Sequence, residues 1–93
     1  MIDAKQISLG KAAKLVNTKG GILVDVRDPV SFRDGTVAGA INLSLRQLSS
    51  LQRYSKNTPI VLYSDKMDIA IKTAANYLIQ FGFTHVNTLI SKP

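Results

Sequence analysis

Two short, near-continuous apolar runs constrain this chain more than any other feature: Gly21-Ile22-Leu23-Val24-Asp25-Val26 and Ile60-Val61-Leu62-Tyr63. A strand with one wet face alternates polar and apolar side chains. A branched apolar run without that alternation must be covered on both faces, which is the condition of a parallel sheet wrapped by helices. Each run is followed by a helix-start signal. After the first stands Asp28-Pro29, a cap and a proline at the first helical position, with Asp34-Gly35 closing the turn or two that follow. After the second stands Asp68, placed to cap a helix running to Phe81 with Gly82 just beyond.

The rest of the chain fits between these units. Ser8 opens an amphipathic stretch with Leu9, Ala12, Ala13, Leu15 and Val16, and Gly20-Gly21 ends it. Gly39 to Leu43 reads as a short strand. Ser44 then caps a helix carrying Leu45, Leu48 and Leu51 at spacings of three, Asn57-Thr58-Pro59 breaks the chain, and His85 to Leu89 reads as a last strand. Strands alternating with helices predict an α/β fold with a parallel sheet wrapped by helices. Ninety-three residues with 45% hydrophobic content fit one domain over 1–93.

Composition removes several chemistries. There is no cysteine and no glutamate, the six acids are all aspartates, and there is one histidine. Disulfides, thiolate metal sites and cysteine nucleophiles are therefore excluded by inventory. With no HExxH, Asp-rich loop or Gly-rich phosphate loop, neither a metal nor a cofactor is expected. The net charge of +6 favours acidic partners. The basic residues stand singly, without a block or an aromatic-interleaved stripe, so a nucleic-acid partner is not expected. No apolar run approaches a membrane span and the start MIDAKQ has no apolar signal core, so the chain is expected to be soluble and cytoplasmic.

The segment LVDVRDPVSFRDGTVAGAINLSL, Leu23 to Leu45, resembles the rhodanese-like domains, whose pattern runs D-V-R-x-P and then G-H-I-x-G-A-I-N-I. Asp25, Val26, Arg27, Pro29, Gly35, Gly39, Ala40, Ile41 and Asn42 stand at matching positions. Pro59 with the IVLY strand, then AANYL and Gly82-Phe83, is similar to the family's second signature. The resemblance covers about residues 5–89 and implies a small parallel sheet of about five strands flanked by helices on both faces. Each matched residue also has a structural reading: Asp25 and Arg27 as a charged pair that fixes the loop after a buried strand, Gly35 and Gly39 as backbone freedom, Phe32 as a core anchor.

Active members, the resemblance implies, carry a cysteine directly after the Ile60–Tyr63 strand. It takes sulfur from a donor such as thiosulfate as a persulfide, while backbone N–H groups at a helix N-terminus hold the anion. Here Ser64 occupies that position. Oxygen cannot replace sulfur as a reversible sulfane carrier. A histidine-activated serine is not expected either, because His85 should lie a strand length away, about 16 Å at ~3.3 Å per residue.

The loop Asp65-Lys66-Met67-Asp68-Ile69-Ala70 lacks the glycine and arginine of the family and is one residue longer than in its sulfurtransferases, nearer the phosphatase-like members. Its two aspartates would repel an anion, partly offset by Lys66. The candidate binding residues are accordingly Ser64 to Ala70 together with Asp25 and Arg27, with none catalytic.

Two functions follow from this reading. The first is a non-catalytic binding or regulatory module that holds a protein partner or self-associates. The second is a sulfurtransferase-related enzyme, working by sulfur transfer or anion-site chemistry, with a diverged loop. The chain ends at Leu89-Ile90-Ser91-Lys92-Pro93, where the family continues through a glycine pair and a final helix. The domain is therefore expected to be short at its C-terminus and to leave apolar surface for a partner.

Overall fold

The computed structural model describes residues 4–90; the expectation for the chain's end falls partly on residues 91–93, outside them. The elements follow the order β1 (Lys5–Gln6), α1 (Leu9–Lys19), β2 (Ile22–Asp25), α2 (Pro29–Asp34), β3 (Ile41–Asn42), a 3₁₀ helix (Leu45–Arg53), β4 (Ile60–Ser64), α3 (Ile69–Gln80) and β5 (Val86–Ile90). All strand pairs are parallel, and the spatial order is β1-β5-β4-β2-β3. The strand β4 is central, and all five of its residues are buried.

The absence of alternation in the apolar runs has its cause here. Because successive side chains point to opposite faces, Leu62 and Val24 join one core with Leu48, Leu51, Ile71 and Leu78, under the 3₁₀ helix and α3. Val61, Tyr63 and Leu23 meet Ala12 and Leu89 in a second core, under α1. Helices therefore lie on both faces of the sheet.

Three local features differ from the sequence expectations. The edge strand β1 was not anticipated: both its residues are exposed, and pairing of Lys5 with Asn87 and Gln6 with Thr88 defines it, with no periodicity of its own. The segment after Ser44 is a 3₁₀ helix, whose three-residue period brings Leu48 and Leu51 to the same buried face. Gln47 Oε1 accepts from the Ser44 N–H at 2.9 Å to close its start. Phe32 is only half-buried and belongs to neither core; α2 has six residues, none of them buried. Gly20 ends α1 at φ 68° and Gly39 turns the chain into β3 at φ 87°, both in the left-handed region where a side chain is strained.

Candidate functional site

The chain leaves β2 towards the β3 edge and leaves β4 towards β5, so the crevice between the carboxyl ends of β2 and β4 is the topological switch point of the sheet. Open parallel sheets bind ligands at such a point. A cavity of about 280 Å³ lies there, and its walls are the loops that follow the two strands.

The β2 side is built around Asp25, whose side chain is fully buried. Its Oδ1 accepts from the Arg27 N–H at 2.8 Å and from Arg27 Nε at 3.1 Å. Its Oδ2 accepts from Arg27 Nη2 at 2.8 Å and from the Thr36 hydroxyl at 2.7 Å. Burial pushes the carboxyl up, but the Arg27 side chain, the Thr36 hydroxyl and the Arg27 backbone N–H outweigh it, so Asp25 sits below the usual carboxylate value and is ionised. The same hydrogen bond to Asp25 drives the Arg27 guanidinium still higher. Arg27 also donates to the Gly35 carbonyl and stacks over the Tyr63 ring at 4.9 Å. Asn42 Nδ2 bridges the carbonyls of Asp25 and Arg27 at 2.9 and 3.0 Å, locking the loop to β3.

The β4 side has fewer anchors. Ser64 is buried at 3% exposure, and its hydroxyl donates to Asp65 Oδ1 at 3.4 Å. Asp68 caps α3, its carboxylate accepting from the Ile71 N–H at 3.2 Å, which places negative charge on the positive end of the helix from within the chain. Asp28 caps α2 in the same manner, accepting from the Ser31 N–H at 2.9 Å, and this holds its carboxyl below the ordinary value.

Of the residues singled out in the sequence, Arg27, Ser64, Asp65, Lys66, Asp68 and Ala70 line the crevice together. Asp25 lies buried behind Arg27. Met67 turns away into a separate recess with Gln6, Lys72 and Thr88, and Ile69 points outward at 82% exposure. Asp28 and Ser31 also line the crevice and were missed, although the Asp-Pro-x-Ser cap sequence marks them. Thr36 has no local signal; only the fold brings it to Asp25.

The reading of Ser64 considered histidine alone as a base, and the adjacent Asp65 carboxylate also accepts from the hydroxyl. At 3.4 Å this contact is longer than the 2.6–3.2 Å that proton transfer uses, and a carboxylate is a weak base towards an alcohol. His85 lies at the other end of the sheet, its carbonyl accepting from the Ile60 N–H while Ser64 pairs with Ile90.

The charges in the crevice do not suit an anion. Arg27 is engaged with Asp25 and Gly35, leaving, among the described residues, Lys66 against Asp28, Asp65 and Asp68. No group of three or more metal-ligating side chains is present among the described residues, and none of their helices is long and apolar enough to cross a membrane.

Comparison with known proteins gives the same frame. The chain is 32% identical over 87 residues to the thiosulfate sulfurtransferase GlpE of Coxiella burnetii, covering 92% of this chain and 80% of that one. The rhodanese-like domain of the Anabaena Alr3790 protein superposes with a TM-score of 0.65 at 28% identity, covering 77% of this chain and 84% of that one. A single-domain sulfurtransferase of Saccharomyces cerevisiae shares the fold, with a TM-score of 0.74 at 15% identity over 96% of this chain and 85% of the other. The model of the rhodanese-like domain matches residues 8–90, and this chain belongs to that family.

Proposed function

We propose that this rhodanese-like domain acts as a binding or regulatory module rather than as a sulfurtransferase. One observation carries the reading: a serine, in a chain without cysteine, ends the central strand where a persulfide carrier would have to stand. The surroundings support it. The helix N-terminus beside Ser64 is already capped by Asp68, and three carboxylates line the crevice. Val30, Leu45 and Ile69, at 56%, 43% and 82% exposure, stand in the segments that follow β2, β3 and β4, where they offer apolar contact to a protein partner.

The alternative, an enzyme with a diverged anion site, draws its support from the GlpE likeness and from the Ser64–Asp65 hydrogen bond, and the length of that bond weakens it. A thiosulfate:cyanide assay separates the two. The unmodified protein is expected to show no turnover, and Ser64→Cys alone is expected not to restore it, because the carboxylates and the cap remain. Turnover by the unmodified protein would overturn the binding-module reading. Turnover by Ser64→Cys would show that a single atom, not the loop, separates this domain from an enzyme.

A further inference from the structure

Three lysines gather at the opposite end of the sheet. A groove of about 470 Å³ opens at the amino ends of β4 and β5, within the size range of ligand sites. One wall is a stripe of α1, Lys11, Leu15 and Lys19, each one turn from the next; the other is the edge strand β1 with Lys5 and the following Ile7. Pro59 forms part of the lining between them, and among the described residues no carboxylate lines the groove. Among the described residues the one ion pair is Asp25–Arg27, and none of them gives the three lysines an acidic partner.

We propose that this groove docks an extended acidic segment of a partner protein, patterned acid-x-apolar-x-acid. The inference rests on the binding-module reading and names the surface and the partner chemistry. The spacing supports it. Residues four apart on a helix rise about 6 Å, and alternate residues of an extended peptide are about 6.6 Å apart. Two carboxylates and an intervening apolar side chain on one face of the peptide therefore meet Lys11, Leu15 and Lys19 in turn. Lys5 faces the segment from the far wall, and Ile7, Leu15 and Pro59 receive its apolar side chain.

A single-stranded nucleic acid has a similar phosphate repeat, but it gains affinity by stacking its bases on aromatic platforms, and no Phe, Tyr or Trp lines this groove. A compact phosphate site would call for arginine forks or converging backbone N–H groups; lysines on long flexible stems suit a chain with distributed charge.

The test is titration of the isotope-labelled protein with capped peptides containing Glu-Ser-Leu-Ser-Glu, Glu-Ser-Ser-Ser-Glu and Lys-Ser-Leu-Ser-Lys, read by backbone amide shifts. The first should give saturable shifts at residues 5–7, 11–19 and 85–87, weakening as salt rises. The second should bind more weakly, and the third should not bind. Replacing both surface lysines, Lys11→Gln with Lys19→Gln, should weaken the first by about threefold to tenfold, the scale of two exposed ion pairs. Four results would overturn the proposal: absence of saturation, equal binding of the first two peptides, shifts centred on residues 64–70, or tighter binding of an oligouridine at the same amides. Sulfur transfer by the unmodified protein would instead defeat the binding-module reading, a result read in a separate assay.

Discussion

Two loops leave neighbouring strands at the same end of the sheet, and they are held in opposite ways. Both strands end in a buried polar residue, Asp25 on β2 and Ser64 on β4, and both loops lead into a helix capped by aspartate, Asp28 or Asp68. Yet Asp25 is tied to Arg27 through side chain and backbone and to Thr36, and Arg27 reaches on to Gly35 and Tyr63. Among the described residues the Ser64 side chain has one long hydrogen bond, to its own neighbour. The first loop is part of the folding problem: its buried charge must be matched or the fold loses stability. The second loop carries no such obligation, so its chemistry can change while the fold persists. The family fold can therefore be kept while a serine, not a cysteine, ends β4.

The comparison is broken most severely at Asp25. Asp25→Ala removes one partner of a buried pair and leaves the Arg27 guanidinium uncompensated; a loss of about 3–5 kcal/mol is expected, measured by urea unfolding. Asp25→Asn, which keeps the shape and part of the hydrogen bonding, should lose less. The pH dependence identifies the cause. Folding lowers the Asp25 pKa from 3.8, so its contribution is fully present above that value and is lost as pH falls through the lower folded one. The stability advantage of the unmodified protein over Asp25→Asn should therefore be constant near neutrality and shrink below about pH 4. An advantage that persists undiminished at the most acidic pH at which the protein folds would show that packing, not charge, holds this loop.

The same contrast governs what could be read in the sequence. The strands β2 and β4 are legible because burial on both faces leaves no room for alternation, and the caps Ser8, Asp28 and Asp68 are legible because a short oxygen side chain before an apolar period has few other uses. The strand β1 is not, since two exposed residues at an edge have no pattern and take their register from β5. At the site, Asp25 and Arg27 are two residues apart on one side of the backbone, and their pairing follows from that spacing. Thr36 lies eleven residues from Asp25, and only the closed loop brings it there. The position of the Ser64–Ala70 loop is legible from the strand before it and the helix after it. That Met67 and Ile69 turn out of the crevice is not, because an irregular loop has no period from which direction can be read.

A smaller effect is expected at the second loop. Asp68→Ala removes a cap from a twelve-residue helix whose buried face includes Ile71, Ala74 and Leu78. The helix is held mainly by that packing, so the loss should be about 1 kcal/mol, the usual scale for a cap, and no change of fold is expected. Urea unfolding checks the magnitude, and amide exchange at residues 69–72 should rise while exchange at residues 74–78 holds. A loss approaching that of Asp25→Ala would mean that the two loops are equally tied to the fold.

The smallest expected effect is the response of the unmodified protein to thiosulfate. An anion entering the crevice would have to approach Asp28, Asp65 and Asp68, with Lys66 the one lining cation among the described residues not already held by an aspartate. It would also compete for the start of α3 with a carboxylate that is covalently part of the chain. Such a cap contributes about 1 kcal/mol and its alignment with the helix dipole about 0.3–1 kcal/mol more. The external ion must in addition give up part of a strong hydration shell. Titration to tens of millimolar should therefore move the amides of residues 64–70 only slightly and without saturation. In Asp68→Ala, with the cap gone, weak saturable shifts at residues 69–71 should emerge. Millimolar or tighter binding by the unmodified protein at those amides would show that the second loop still holds an anion, and the contrast between the two loops would then lie in the loss of sulfur alone.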